Sequence, residues 1–194
     1  MALALGATVA RADDAGVAAD LVQHFCVTCH GKEGRSENPT FPRLAGQLDE
    51  YLEAQINAFH DHTRADPHAQ AYMWGIASKP ELTHGVIEEI SKYYAQQKPV
   101  PGEPAADAAL AAKGKALFAN GDKKREIPEC AECHGKNAEG QGPYARLAGQ
   151  YPDYLARQLR AFRENTRENP IMHPNALNLT DEEIDALAVY LGSL

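Results

Sequence analysis

The 194-residue sequence predicts an all-α chain built as two tandem copies of one small domain, and three observations carry that reading. No run shows sustained period-two alternation, whereas apolar residues recur at helical spacing in several segments. A Cys-x-x-Cys-His pentapeptide occurs at 26–30 and again at 130–134, each followed by Gly-Lys, and the two copies use every cysteine in the chain. Landmarks of the first half also return in the second at a slowly drifting offset. It is 104 for Cys26/Cys130, 103 for Arg43-Leu-Ala-Gly-Gln/Arg146-Leu-Ala-Gly-Gln, for Tyr51/Tyr154 and for Thr63-Arg64/Thr166-Arg167, 99 for Met73/Met172 and 97 for Leu82-Thr83/Leu179-Thr180. Duplication followed by small loop changes leaves such a pattern.

The chain opens on a short apolar run ending in Ala10-Arg11-Ala12, an Ala-x-Ala cleavage pattern that reads as a clipped secretory leader over residues 1–12. The first domain, 13–98, begins at Asp13 and Asp14, which suit the cap of a helix carrying Val17, Leu21, Val22 and Phe25 into the first pentapeptide. A loop with Ser36, Asn38 and Pro39 leads to Phe41-Pro42-Arg43-Leu44-Ala45-Gly46-Gln47. Tyr51, Leu52, Gln55, Ile56 and Phe59 then mark a second helix, and Val86, Ile87, Ile90, Tyr93 and Tyr94 a last one opening near Leu82-Thr83. Three prolines within 98–104 exclude helix and central strand, so 99–104 reads as a semi-rigid linker.

The second domain, 105–194, restarts the programme at Lys113-Gly-Lys-Ala-Leu-Phe118. Its segment 119–129 is longer than the first half's and carries Lys123-Lys124-Arg125, which reads most simply as a solvated loop. Pro152 suits a first helical turn, and Thr180-Asp-Glu-Glu183 is a capping box opening the final helix.

Cys-x-x-Cys-His is the attachment pattern of a c-type haem. Two thiols three positions apart at a helix start reach the vinyl groups along one haem edge, and the adjacent imidazole points at the iron. A zinc site would need four thiolates and no histidine after each pair; a redox disulfide would normally sit in a βαβ pattern that is missing here. The expected cofactors are therefore two covalent haem c groups on Cys26, Cys29, Cys130 and Cys133, with His30 and His134 as proximal ligands. Methionine supplies the sixth ligand in many such sites. Apart from Met1, the chain has two, Met73 and Met172, at matching places before the last helix of each half. His24, His60, His62, His68 and His84 read as exposed polar residues, since the second half has only His173 beside His134.

The net charge of −8 argues against nucleic acid as a partner. It is unevenly spread, with 13 acidic and 7 basic residues over 13–98 (−6) against 13 and 11 over 105–194 (−2), a dipole able to orient docking on a redox protein. No stretch beyond the leader is long and apolar enough to span a bilayer, so the expected location is the periplasm, with peripheral membrane association left open.

These landmarks together resemble the two-haem class I cytochromes called cytochrome c4, over essentially residues 15–194. The resemblance implies two cytochrome c domains related by a pseudo-twofold axis, with axial pairs His30/Met73 and His134/Met172. It also implies that a backbone carbonyl accepts from each proximal histidine: Pro42 matches in the first half, and Ala145 stands in its place in the second. Arg64 and Arg167 are candidates to neutralise haem propionates, or are simply exposed arginines. The implied function is periplasmic electron transfer, not catalysis, from a quinol-oxidising complex towards a terminal oxidase. The alternatives are a dihaem electron-accepting subunit of a flavocytochrome-type dehydrogenase and a haem peroxidase.

Overall fold

The computed structural model describes the backbone of residues 5–194 and the side chains of 13–194, so the leader expected over 1–12 falls outside the fully described residues. In the first half α1 (Leu5–Leu21) continues through a π-helical turn (Val22–Cys26) into α2 (Val27–His30), followed by α3 (Asp49–His60), a second π turn (Ala69–Met73), α4 (Trp74–Ala77) and α5 (His84–Ala95). The second half comprises α6 (Ala108–Asn120), α7 (Ala131–His134), α8 (Pro152–Arg163), α9 (Met172–Ala176) and α10 (Asp181–Gly192). Among the described residues there is no strand, only the isolated bridges Asp122–Ile127 and Gln141–Tyr144. The all-α expectation thus holds, and so does the capping box: Thr180 accepts from Glu183 N and Glu183 completes the box, while Thr83 accepts from Val86 N at the start of α5.

Each half is organised by its last helix. Val86, Ile87, Ile90 and Tyr94 lie on one face of α5 and are buried against Ala18, Leu21 and Val22 of the first helix and Leu52 of α3. Burying a side chain of this size contributes about 1.5–3 kcal/mol. In the second half Ile184, Leu187, Ala188 and Leu191 of α10 meet Phe118, Leu155 and Phe162. There α6 crosses α10 so closely that a Cβ on Gly114 would collide with the carbonyl of Ala186, which explains a glycine in a helix interior.

Three expectations are corrected. Asp13 and Asp14 lie inside α1 and do not cap it; Asp14 instead accepts from the Thr83 hydroxyl at 3.5 Å, at the positive end of α5. The 119–129 insertion is not a loose solvated loop. Ile127 is buried, and Arg125 bonds Asp122 at 2.8 Å and pairs with Glu183, which ties the insertion to the start of α10. His68 is half-buried against the Tyr72 ring, where an exposed residue was expected.

The halves meet across a joint with pseudo-twofold symmetry. Gln47 Nε2 donates to Arg146 O at 2.8 Å and its Oε1 accepts from Arg146 N at 2.7 Å; Gln150 does the same to Arg43, at 2.9 and 3.0 Å. Both glutamines are buried. The segment between the halves is held as well, since Gly102 N donates to the Leu194 carbonyl at 2.6 Å.

Candidate haem sites

The first π turn delivers Cys26 to the start of α2, and Cys29 and His30 close it. Gly31 then adopts φ 73°, a conformation that favours glycine, and ends the helix; Gly135 does so at φ 81° after α7. The chain can thus fold back over each histidine. Gly34 O accepts from Leu44 N at 2.8 Å and Ala45 N at 3.2 Å, and Ala138 O accepts from Leu147 N and Ala148 N at 2.8 and 3.0 Å. The same device holds both loops.

The returning loop brings a carbonyl to His30 and another to His134. His30 Nδ1 lies 2.9 Å from Pro42 O and His134 Nδ1 lies 2.8 Å from Ala145 O. A carbonyl only accepts, so Nδ1 carries the proton and Nε2 keeps its lone pair. Burial, only partly opposed by this hydrogen bond, holds both imidazoles below their ordinary pKa and therefore neutral. Both rings sit edge-on to an aromatic one residue before that carbonyl: Phe41 at 6.2 Å and Tyr144 at 6.5 Å. A neutral imidazole with a fixed tautomer and a free Nε2 is the form that binds iron.

The four cysteines are half-buried. Among the described residues no three His, Cys, Asp or Glu side chains converge on a common point, so the two pairs do not assemble into one zinc site. Met73 closes the second π turn and packs on Phe59, Ala69 and Ala77. Met172 opens α9 and packs on the second core together with Cys130. Phe25, Tyr72 and Ile171, the neighbours of Cys26, Met73 and Met172, are 43%, 47% and 48% exposed. Exposed apolar side chains beside these residues suit a porphyrin face, and the residues present fit haem.

Between the halves lies a buried polar cluster that the sequence reading missed. Arg64 and Arg167, 7% and 5% exposed, are not surface arginines. Arg64 donates to Gln55 Oε1 and Gln158 Oε1, each at 2.9 Å, to the Tyr154 hydroxyl at 3.3 Å and to Asp66 Oδ2 at 3.1 Å. Arg167 donates to the same two glutamine oxygens and to the Tyr51 hydroxyl at 3.1 Å. Burial alone would raise the Tyr51 phenol, but the two guanidiniums outweigh it and hold the group below its ordinary pKa, a sign of local positive potential. The available signal was the offset. It stays at 103 from Arg43/Arg146 to Pro67/Pro170, the span that supplies every reciprocal pair, and drifts outside it.

The cytochrome c family model matches this chain twice, over residues 17–96 and 111–194. The chain belongs to that family, among the dihaem cytochromes c4. It is 41% identical over 174 residues to cytochrome c-552 of Acidithiobacillus ferridurans, covering 89% of this chain and 75% of that protein. It is 36% identical over 197 residues to a thiosulfate dehydrogenase electron acceptor of Thiomonas intermedia, covering 97% and 87%. The solved cytochrome c4 of Acidithiobacillus ferrooxidans superimposes with a TM-score of 0.80 at 42% identity, over 87% of this chain and 98% of that one. This cytochrome c is thus a dihaem electron-transfer protein with two covalently bound haem c groups. No helix among its described residues is long and apolar enough to cross a membrane.

Proposed function

We propose that this cytochrome is a periplasmic electron carrier with one haem per domain, over 13–98 and 105–194, joined by the linker 99–104 and preceded by a leader over 1–12. Cys26, Cys29, Cys130 and Cys133 form the thioethers, and His30/Met73 and His134/Met172 are the axial pairs. The observation that carries this reading is the matched pair of neutral imidazoles, each locked through Nδ1 to a backbone carbonyl with Nε2 free. Bound haem supplies a one-electron Fe(III)/Fe(II) couple. The chain's share is to hold the ligands. Backbone bonds fix the histidines, so their geometry need not change with oxidation state, while apolar walls exclude water. Two permanent protein ligands leave no coordination place for substrate, which favours a carrier over an enzyme such as a peroxidase. The joint fixes the halves relative to one another, so an electron accepted on one side can leave from the other.

Donor and acceptor are redox proteins, in our reading a quinol-oxidising complex and a terminal oxidase. The similarity to a thiosulfate dehydrogenase electron acceptor supports a second reading, an electron-accepting partner of a periplasmic dehydrogenase. Purification from native periplasm and membranes separates the two: a free dihaem chain supports the mobile carrier, and constant co-migration with a dehydrogenase supports the second. For the ligands, Met172→His is expected to abolish the ferric methionine–iron absorption of one haem and lower its potential while leaving the other almost unchanged. A titration in which both potentials fall equally would contradict the assignment.

A further inference from the structure

The equivalent arginines Arg64 and Arg167 sit in unequal electrostatic settings. Two residues beyond them, at the same offset of 103, stand Asp66 and Asn169, each followed by proline. Both perform the same mechanical task. Asp66 Oδ1 accepts from Ala69 N at 3.3 Å, and Asn169 Oδ1 accepts from Ile171 N and Met172 N at 3.0 and 2.8 Å. Each therefore caps the segment that carries its half's methionine. Charge separates them. Asp66 is 2% exposed and its second oxygen takes Arg64 Nε at 3.1 Å, whereas among the described residues no carboxylate pairs with Arg167. One position earlier the exchange runs the other way, Ala65 against Glu168, but Glu168 is exposed and water screens its charge. Within the cluster that the halves share, the first half contributes a paired arginine and the second an arginine with no carboxylate partner.

Reduction places one more negative charge on a haem, so an unpaired buried cation nearby favours the reduced form, and its neutralisation removes that advantage. We propose that the Asp66/Asn169 exchange sets the order of reduction in this chain: the second half accepts its electron first, and Asp66 holds the first half back. The inference rests on the reading of Met73 and Met172 as iron ligands, because they place the capped segments beside the irons. Asp66 and Asn169 act here as positioning residues with an electrostatic consequence.

The test is a spectroelectrochemical titration of the haem-loaded full chain, with each half identified by the shifted methyl resonance of its ligating methionine. Asp66→Asn is expected to raise the lower midpoint more than the higher, and Asn169→Asp to lower the higher one more than the lower. Each should change the partition of a single electron between the halves by about tenfold, which is about 59 mV for a one-electron couple. The double exchange should reverse the order of reduction. Should Asp66→Asn fail to fold with Arg64 unpaired, Asn169→Asp decides by itself, since it gives Arg167 a partner and keeps the cap. Midpoints that stay put or move equally in Asn169→Asp overturn the proposal, as does a wild-type chain whose first half is reduced first. A wild-type chain lacking the ferric methionine absorption in either half overturns the ligand reading and this inference with it.

Discussion

Gln55 and Gln158 do beside Arg167 what the Asp66 carboxylate does beside Arg64, and they accept from Arg64 as well. An amide oxygen accepts from both cations without cancelling either, so the joint keeps its positive potential and still satisfies its donors. Gln158→Leu leaves two buried guanidiniums short of an acceptor. At about 1.5–3 kcal/mol for each lost bond to a charged group, the expected loss is about 3–6 kcal/mol, a fall in Tm of about 6–24 °C for a chain of this size. Thermal melts followed at the haem absorbance check it, with Gln158→Glu as the variant that restores an acceptor. At this scale the sequence was legible where the chemistry is local. Cys26, Cys29 and His30 announce themselves within five positions, as do Cys130, Cys133 and His134. Arg64 and Arg167 do not, because what buries them lies 90 to 116 positions away along the chain, and a lone arginine reads as exposed until that partner is known.

At the level of elements the last helices were the most readable parts, since Val86, Ile87, Ile90 and Tyr94 on one face and a complete capping box on α10 leave little choice. The π turns were not. Four extra residues separate Pro67 from Met73 relative to Pro170 and Met172, and the first half takes them up in the π-helical segment Ala69–Met73. Periodicity in sequence shows the drop in offset from 103 to 99 but not how the backbone absorbs it. The start of α10 yields a pH prediction. A hydrogen bond from Arg125 is the main cause that holds the carboxyls of Glu183 and Asp122 below their ordinary range, and hydrogen bonds from Arg163 and Arg160 do so for Asp181. Depressed carboxyl values give stability that is present above the unfolded pKa, 4.5 for a glutamate, and is lost as the pH falls through the folded value. Arg125→Ala should therefore melt earlier than the wild type at pH 7, and the difference should shrink towards zero well below pH 4.5. A difference that persists in acid would assign Arg125 a packing role instead.

The whole molecule depends on a joint made of few, well-directed bonds. Gln47 and Gln150 each close a two-bond ring with the backbone of the opposite half. Replacing both by alanine is expected to uncouple the halves, so that calorimetry of the holoprotein resolves two transitions where the wild type gives one. It should also slow electron exchange between the haems in pulse-radiolysis traces. Because the glutamine and arginine pairs across this joint come in reciprocal twos, that part of the interface is self-complementary, as between the subunits of a symmetric dimer. Two separate copies could form it only at concentrations that favour association. The segment 99–104 makes the encounter intramolecular, and a short tether supplies an effective concentration of about millimolar order. A single molecule diluted into a large compartment therefore keeps both of its redox centres in register.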